Sequence, residues 1–158
     1  MIINFLYINL SISFGIFAFM PQGWVFMLLI ILLEACIMSR MLAKKWLKHD
    51  VFVSALAANC VSGIVGIVIS MMLNGGWWLV VWFPWVTSSE VNVHESSALL
   101  GLVVYYAVAL VLSVLIELGI NHIILHKKYQ AQKILKATLS ANAASYLIGA
   151  ILIILLCI

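Results

Sequence analysis

Four stretches of this chain contain no Asp, Glu, Lys or Arg: residues 1–33, 51–89, 96–116 and 137–158. A helix needs only about 20 apolar residues to cross the hydrocarbon core of a bilayer, and each stretch is long enough to do so. With 66% hydrophobic residues, 8% charged and a mean hydropathy of +1.24, too few polar side chains remain to cover a globular surface. The expectation is an all-α integral membrane protein. No polar segment is long enough to form a separate soluble domain of about 50 residues, so residues 1–158 read as one membrane domain.

The charges that remain are placed, not scattered. Arg40, Lys44, Lys45 and Lys48 form one cluster and Lys127, Lys128, Lys133 and Lys136 the other. Between them "SSEVNVHESS", residues 88–97, carries two acids and no Lys or Arg. By the excess of Lys and Arg in cytoplasmic loops, residues 40–50 and 127–136 are expected in the cytoplasm, with loop 87–97 and the C-terminus outside a bacterial inner membrane. Topology therefore accounts for the net charge of +3. Each basic loop is too short to build a nucleic-acid surface. The three cysteines, Cys36, Cys60 and Cys157, lie in apolar segments without a CxxC spacing and read as small hydrophobes; Cys36 and Cys60 are the two that could share a depth on neighbouring helices.

Sliding the sequence by 83 residues brings its second half onto its first. Residues 34–66, "EACIMSRMLAKKWLKHDVFVSALAANCVSGIVG", align without a gap on residues 117–149, "ELGINHIILHKKYQAQKILKATLSANAASYLIG". The identical pairs include Glu34 with Glu117, Lys44 with Lys127, Lys45 with Lys128, Asn59 with Asn142, Ser62 with Ser145 and Gly66 with Gly149. Chance matching of Leu to Ile would not select those residue types. The implied unit is a helical hairpin: a descending helix with a Glu, a short basic loop, and an ascending helix with N-x-x-S-x-x-x-G. Expected helices run from about Trp24 to Ala43, Val51 to Leu73, Ser97 to Leu125 and Ile134 to Ile158. The segments are then hairpin repeat 1 at 21–74, an external aromatic and polar loop at 75–97, and hairpin repeat 2 at 98–158. Both hairpins enter from the same side, so they are parallel repeats about an axis along the membrane normal.

Two segments stand outside the repeat. Residues 1–20 end in Pro21-Gln22-Gly23, a tight turn or helix start. They lack the positive flank of a signal peptide and read either as a fifth span or as an apolar helix on the outer surface. "WWLVVWFPW", residues 77–85, is too short to span and reads as an aromatic belt at the outer interface.

Depth follows from a rise of about 1.5 Å per residue. Glu34 lies ten residues before Lys44 and Asn59 eight after Val51, placing both roughly 12 to 15 Å from the cytoplasmic boundary. Asn59 and Ser62 share a helix face and Gly66 continues it, so their polar atoms are expected to face the Glu-bearing neighbour. Glu117, Asn142, Ser145 and Gly149 repeat the arrangement. A carboxyl inside a span costs several kcal/mol unless neutral or paired and marks a functional site by default. Alternatively, a protonated Glu bonded to Asn and Ser simply holds two helices together, at about 1 kcal/mol per bond.

Other candidates are weaker. His122 and His126, four apart, have the spacing of a metal pair on one helical face but stand opposite Ser39 and Ala43 in the first copy, so interfacial imidazoles explain them. Glu90, His94 and Glu95 combine two carboxylates with an imidazole, yet "HESSA" is not HExxH. "CVSG" around Ser62 has Cys where an intramembrane serine protease would place Gly, and Asp50 is the single Asp. No catalytic residue and no cofactor are indicated.

Transport is therefore the first functional expectation: a proton, cation or small polar solute carrier or channel built around Glu34, Asn59, Ser62, Glu117, Asn142 and Ser145. The second is a non-catalytic subunit or assembly factor in which those groups are structural interhelical bonds. A third is an intramembrane enzyme using Glu90, His94 and Glu95. Four or five helices enclose little volume, so self-association or a partner membrane protein within the lipid bilayer is expected.

Overall fold

The structure, a computed structural model, describes residues 21–72 and 96–157. The N-terminal apolar segment 1–20, the aromatic stretch 77–85 and the acidic segment with Glu90, His94 and Glu95 lie outside the described residues. The described residues form helices joined by short loops, without a strand: α1 (Pro21–Ala43), α2 (His49–Met72), α3 (Ser96–Leu125) and α4 (Ala131–Cys157). Each helix end falls within three residues of its expected position.

Local chemistry sets these ends. Pro21 opens α1, where its missing N–H would have had no helical partner anyway. Lys44, at φ 56°, takes the left-handed conformation that closes a helix C-terminus, a position where residues other than Gly are uncommon. The short chain that follows is tied back to α1, because Ser39 Oγ accepts the Lys48 backbone N–H at 3.1 Å. On the other hairpin, Leu125 O accepts the backbone N–H groups of Lys128 and Tyr129 at 2.9 and 3.0 Å, and Gln130 O starts α4 by accepting those of Lys133 and Ile134.

The four helices pack as a ring in chain order. α1 lies between α2 and α4, and α3 lies between the same two, so contacts between the hairpins are as extensive as those within them. Near the loops the core is Ala35, Met38, Val51, Ala55, Leu125, Ile134, Ala137 and Ala141. The alanines let helix backbones approach closely.

The distribution of polarity is inverted relative to a water-soluble bundle. Glu34, Ser54, Ser62, Glu117, Asn121, Thr138, Asn142 and Ser145 are buried, whereas Leu29, Ile64, Leu100, Leu115, Ile123 and Leu147 are exposed. Two helical segments among the described residues, Tyr106–Leu125 and Ala131–Ile151, are long and apolar enough to cross a membrane, and His49–Val65 is a shorter apolar helix.

Candidate functional site

Midway along the bundle the two hairpins exchange hydrogen bonds. Asn59 Nδ2 on α2 donates to Glu34 Oε2 on α1 at 2.7 Å, and Asn142 Nδ2 on α4 donates to Glu117 Oε2 on α3 at 2.7 Å. The serines reach the other way. Ser62 Oγ lies 3.1 Å from Glu117 Oε1, and Ser145 Oγ lies 2.7 Å from Glu34 Oε1. Each Glu is thus held by the Asn of its own hairpin and the Ser of the other.

Helical geometry explains the division. Three residues advance a helix by about 300°, so Asn59 and Ser62 point about 60° apart and meet different neighbours in a ring of four. The sequence expectation placed both on one neighbour; the structure assigns Asn59 to α1 and Ser62 to α3.

Each asparagine amide is fixed in orientation. Besides the Glu, Asn59 Nδ2 donates to Ala55 O at 3.0 Å, and Asn142 Nδ2 to Thr138 O at 3.2 Å. Both N–H groups are used, which directs the nitrogen and not the oxygen at the carboxyl. Asn142 Oδ1 is buried without a hydrogen-bond partner among the described residues. Glu34 and Glu117 stand on opposite corners of the ring, and α2 and α4 each bond to both of them. Both are almost fully buried, at 2% and 4% exposure. Gly149 is buried one turn beyond Ser145, and Gly66 lies at the equivalent step of α2.

Two further polar layers flank this centre, and neither was found from sequence. Toward the loops, Ser54 Oγ donates to Asn121 Oδ1 at 2.6 Å, and Asn121 Nδ2 donates to Thr138 Oγ1 at 3.2 Å with Met38 Sδ at 3.8 Å. The available signal was Asn121 itself, an amide four residues after Glu117 and therefore on the same helix face. In the opposite direction Ser113 Oγ and Tyr146 Oη share a bond of 2.8 Å, while Tyr106 donates its hydroxyl proton to the Tyr146 carbonyl.

At the loop end, the hairpins are latched by charge. Asp50 Oδ2 lies 2.9 Å from Lys128 Nζ and 3.4 Å from Lys48 Nζ, and Lys48 Nζ donates to Tyr129 Oη at 2.8 Å. The bond to Tyr129, with Asp50 beside it, holds the Lys48 ammonium above its ordinary value. Burial pushes the Asp50 carboxyl up, but Lys128 and Lys48 outweigh it and leave it below the ordinary range.

The remaining candidates are separate from the centre. His122 and His126 stack at 5.8 Å between ring centroids on the exposed loop end, where His126 Nδ1 contacts the carbonyls of His122 and Ile123. No group of three or more His, Cys, Asp or Glu side chains able to hold a metal occurs among the described residues. Cys36 is half-buried, Cys60 is exposed, and both are free thiols. No protein-family model matches the chain, and neither does any curated protein or solved structure.

Proposed function

We propose that this chain is a small membrane carrier or channel, two duplicated hairpins that span the bilayer four times and pass a proton, a cation or a small polar solute by the Glu34 and Glu117 centre. The observation that carries the reading is the pair of buried carboxyls, each bonded from two hairpins, at the middle of a bundle whose exterior is apolar. An apolar exterior over a polar interior is what lipid as a solvent favours. The basic loop ends then lie in the cytoplasm.

A purely structural role does not call for carboxyls. A glutamine at each position would accept from the asparagine at its oxygen and donate its amide to the serine hydroxyl, without the cost of a titratable group in an apolar setting. Asn142 Oδ1, buried without a partner among the described residues, is a second cost, about 1 to 3 kcal/mol for a buried acceptor. The alternative, a non-catalytic subunit or assembly factor, draws its support from the Ser54, Asn121 and Thr138 layer, which shows interhelical bonds here with no titratable group at all.

Reconstitution of the purified chain into liposomes under a pH gradient separates the two. Proton flux that disappears in Glu34→Gln and Glu117→Gln, and survives in Asn121→Ala, supports transport. Equal behaviour of wild type and both Gln variants, all folded and inserted, leaves the structural reading.

A further inference from the structure

A serine hydroxyl has one proton to donate, yet each serine of the centre lies within reach of two acceptors. Ser62 Oγ is 3.1 Å from Glu117 Oε1 and 3.1 Å from the Asn59 carbonyl. Ser145 Oγ is 2.7 Å from Glu34 Oε1 and 3.0 Å from the Asn142 carbonyl. Either choice leaves a chemically complete site. If the carboxyl is ionised, the serine donates to it. If the carboxyl carries its proton on that oxygen, the serine accepts from the carboxyl and donates to the carbonyl three residues back. That carbonyl belongs to an α-helical residue and also serves as acceptor in the helix ladder, so it is not stranded when the hydroxyl turns away.

We propose that Ser62 and Ser145 are hydroxyl switches that follow the protonation of Glu117 and Glu34 across the two hairpins, and that the species this centre binds is a proton and not a metal cation. The inference rests on the transport reading only for its consequence, since the switch itself follows from the geometry.

The cycle balances without a co-reactant. A proton arriving at Glu117 Oε1 forms the O–H bond there. That O–H then donates to Ser62 Oγ, whose own O–H turns to the Asn59 carbonyl; departure of the proton reverses each step. Glu34 and Ser145 do the same with the Asn142 carbonyl. Asn59 and Ser62 on α2 bond one to each carboxyl, and Asn142 and Ser145 on α4 do the same, so the two carboxyls belong to one hydrogen-bonded network.

The donor set argues against a metal cation. Both asparagines aim N–H groups at the carboxyls and are kept in that orientation by their own i−4 carbonyls. A metal ion at the pair would face the hydrogens of two amides. Around the centre α1 supplies Glu34, α2 Asn59 and Ser62, α3 Glu117, and α4 Asn142 and Ser145, with the Tyr146 phenol nearby. The cations of the flanking helices, Arg40, Lys133 and Lys136, are exposed toward the loop end.

Infrared difference spectra of the full chain in lipid, acid minus alkaline, test this together with proton flux. A carboxylic acid that donates to a hydroxyl shows its carbonyl stretch at lower frequency than one with no acceptor. Ser62→Ala and Ser145→Ala are expected to move that band to higher frequency and to lower proton flux about tenfold, the loss of one hydrogen bond to a charged group. Ser62→Thr, which keeps the hydroxyl, holds the wild-type band. Should Ser62→Ala not insert, Ser62→Cys, of similar size and a far weaker hydrogen-bonder, gives the same reading. In the wild type, adding sodium, potassium or magnesium chloride at constant pH leaves the band in place. Unshifted bands in the Ala or Cys variants, or loss of the wild-type band on adding one of those salts, overturns the proposal. Band shifts without measurable flux keep the switch and remove the transport reading; flux with unshifted bands removes the switch alone.

Discussion

Ser145 on α4 donates to Glu34 on α1 across 111 residues of sequence at 2.7 Å, while its counterpart, Ser62 to Glu117, spans 55 residues at 3.1 Å. These two bonds join the hairpins at the depth of the carboxyls, and their unequal lengths predict unequal coupling. In a double-mutant cycle of Ser145→Ala with Glu34→Gln, followed by unfolding in detergent, the coupling energy is expected at about 1 kcal/mol. The Ser62→Ala and Glu117→Gln cycle should give a smaller value. The reverse order would contradict the crossed geometry.

The charged latch at the loop end predicts a pH dependence of a different kind. Asp50, 19% exposed, is held below the ordinary carboxylate value of 3.8 by Lys128 and Lys48. A depressed value in the folded state means that the stabilisation is fully present above the ordinary value and is lost as pH falls through the folded one. Asp50→Asn should therefore cost about 0.5 to 1 kcal/mol at neutral pH, with the partly exposed lysines keeping it modest, and the cost should fade in strongly acidic buffer. Thermal unfolding of both proteins from neutral to acid pH measures it. A penalty that grows on acidification would reverse the sign and exclude the latch.

Gly119 lies in the interior of α3, exposed, and a Cβ built there meets nothing within 4 Å. Glycine in a helix interior costs roughly 0.5 to 1 kcal/mol relative to alanine. Gly119→Ala is expected to raise stability by up to that amount, read as a higher unfolding midpoint in detergent. Destabilisation, with a change in oligomer size, would mean that this surface is covered by a second copy or a partner.

Much of the helical architecture was legible because long uncharged runs bounded by basic clusters are coarse and strong signals. Uncharged runs bounded by Lys-rich loops fixed helix ends to within three residues, and the 83-residue offset drew attention to Glu34, Asn59, Ser62 and their counterparts. Other relationships were not legible, for physical reasons. Helical periodicity tells which residues share a face, but not which neighbour that face meets, so the crossing of Ser62 to Glu117 had to come from the ring order of the helices. Asn121 was overlooked because its partner position in the first hairpin is Met38, and the repeat favoured residues present twice. The bond from Lys48 to Tyr129, 81 residues apart, joins two loops whose mutual placement no local pattern encodes.

Whether Glu34 and Glu117 act as one centre is decided by proton flux through liposomes carrying wild type, Glu34→Gln, Glu117→Gln and the double variant. Groups that act as a unit are strongly non-additive. Each single variant is expected to lose nearly as much flux as the double. Two partial losses that multiply to give the double variant's rate would show two independent carboxyls and contradict a single centre.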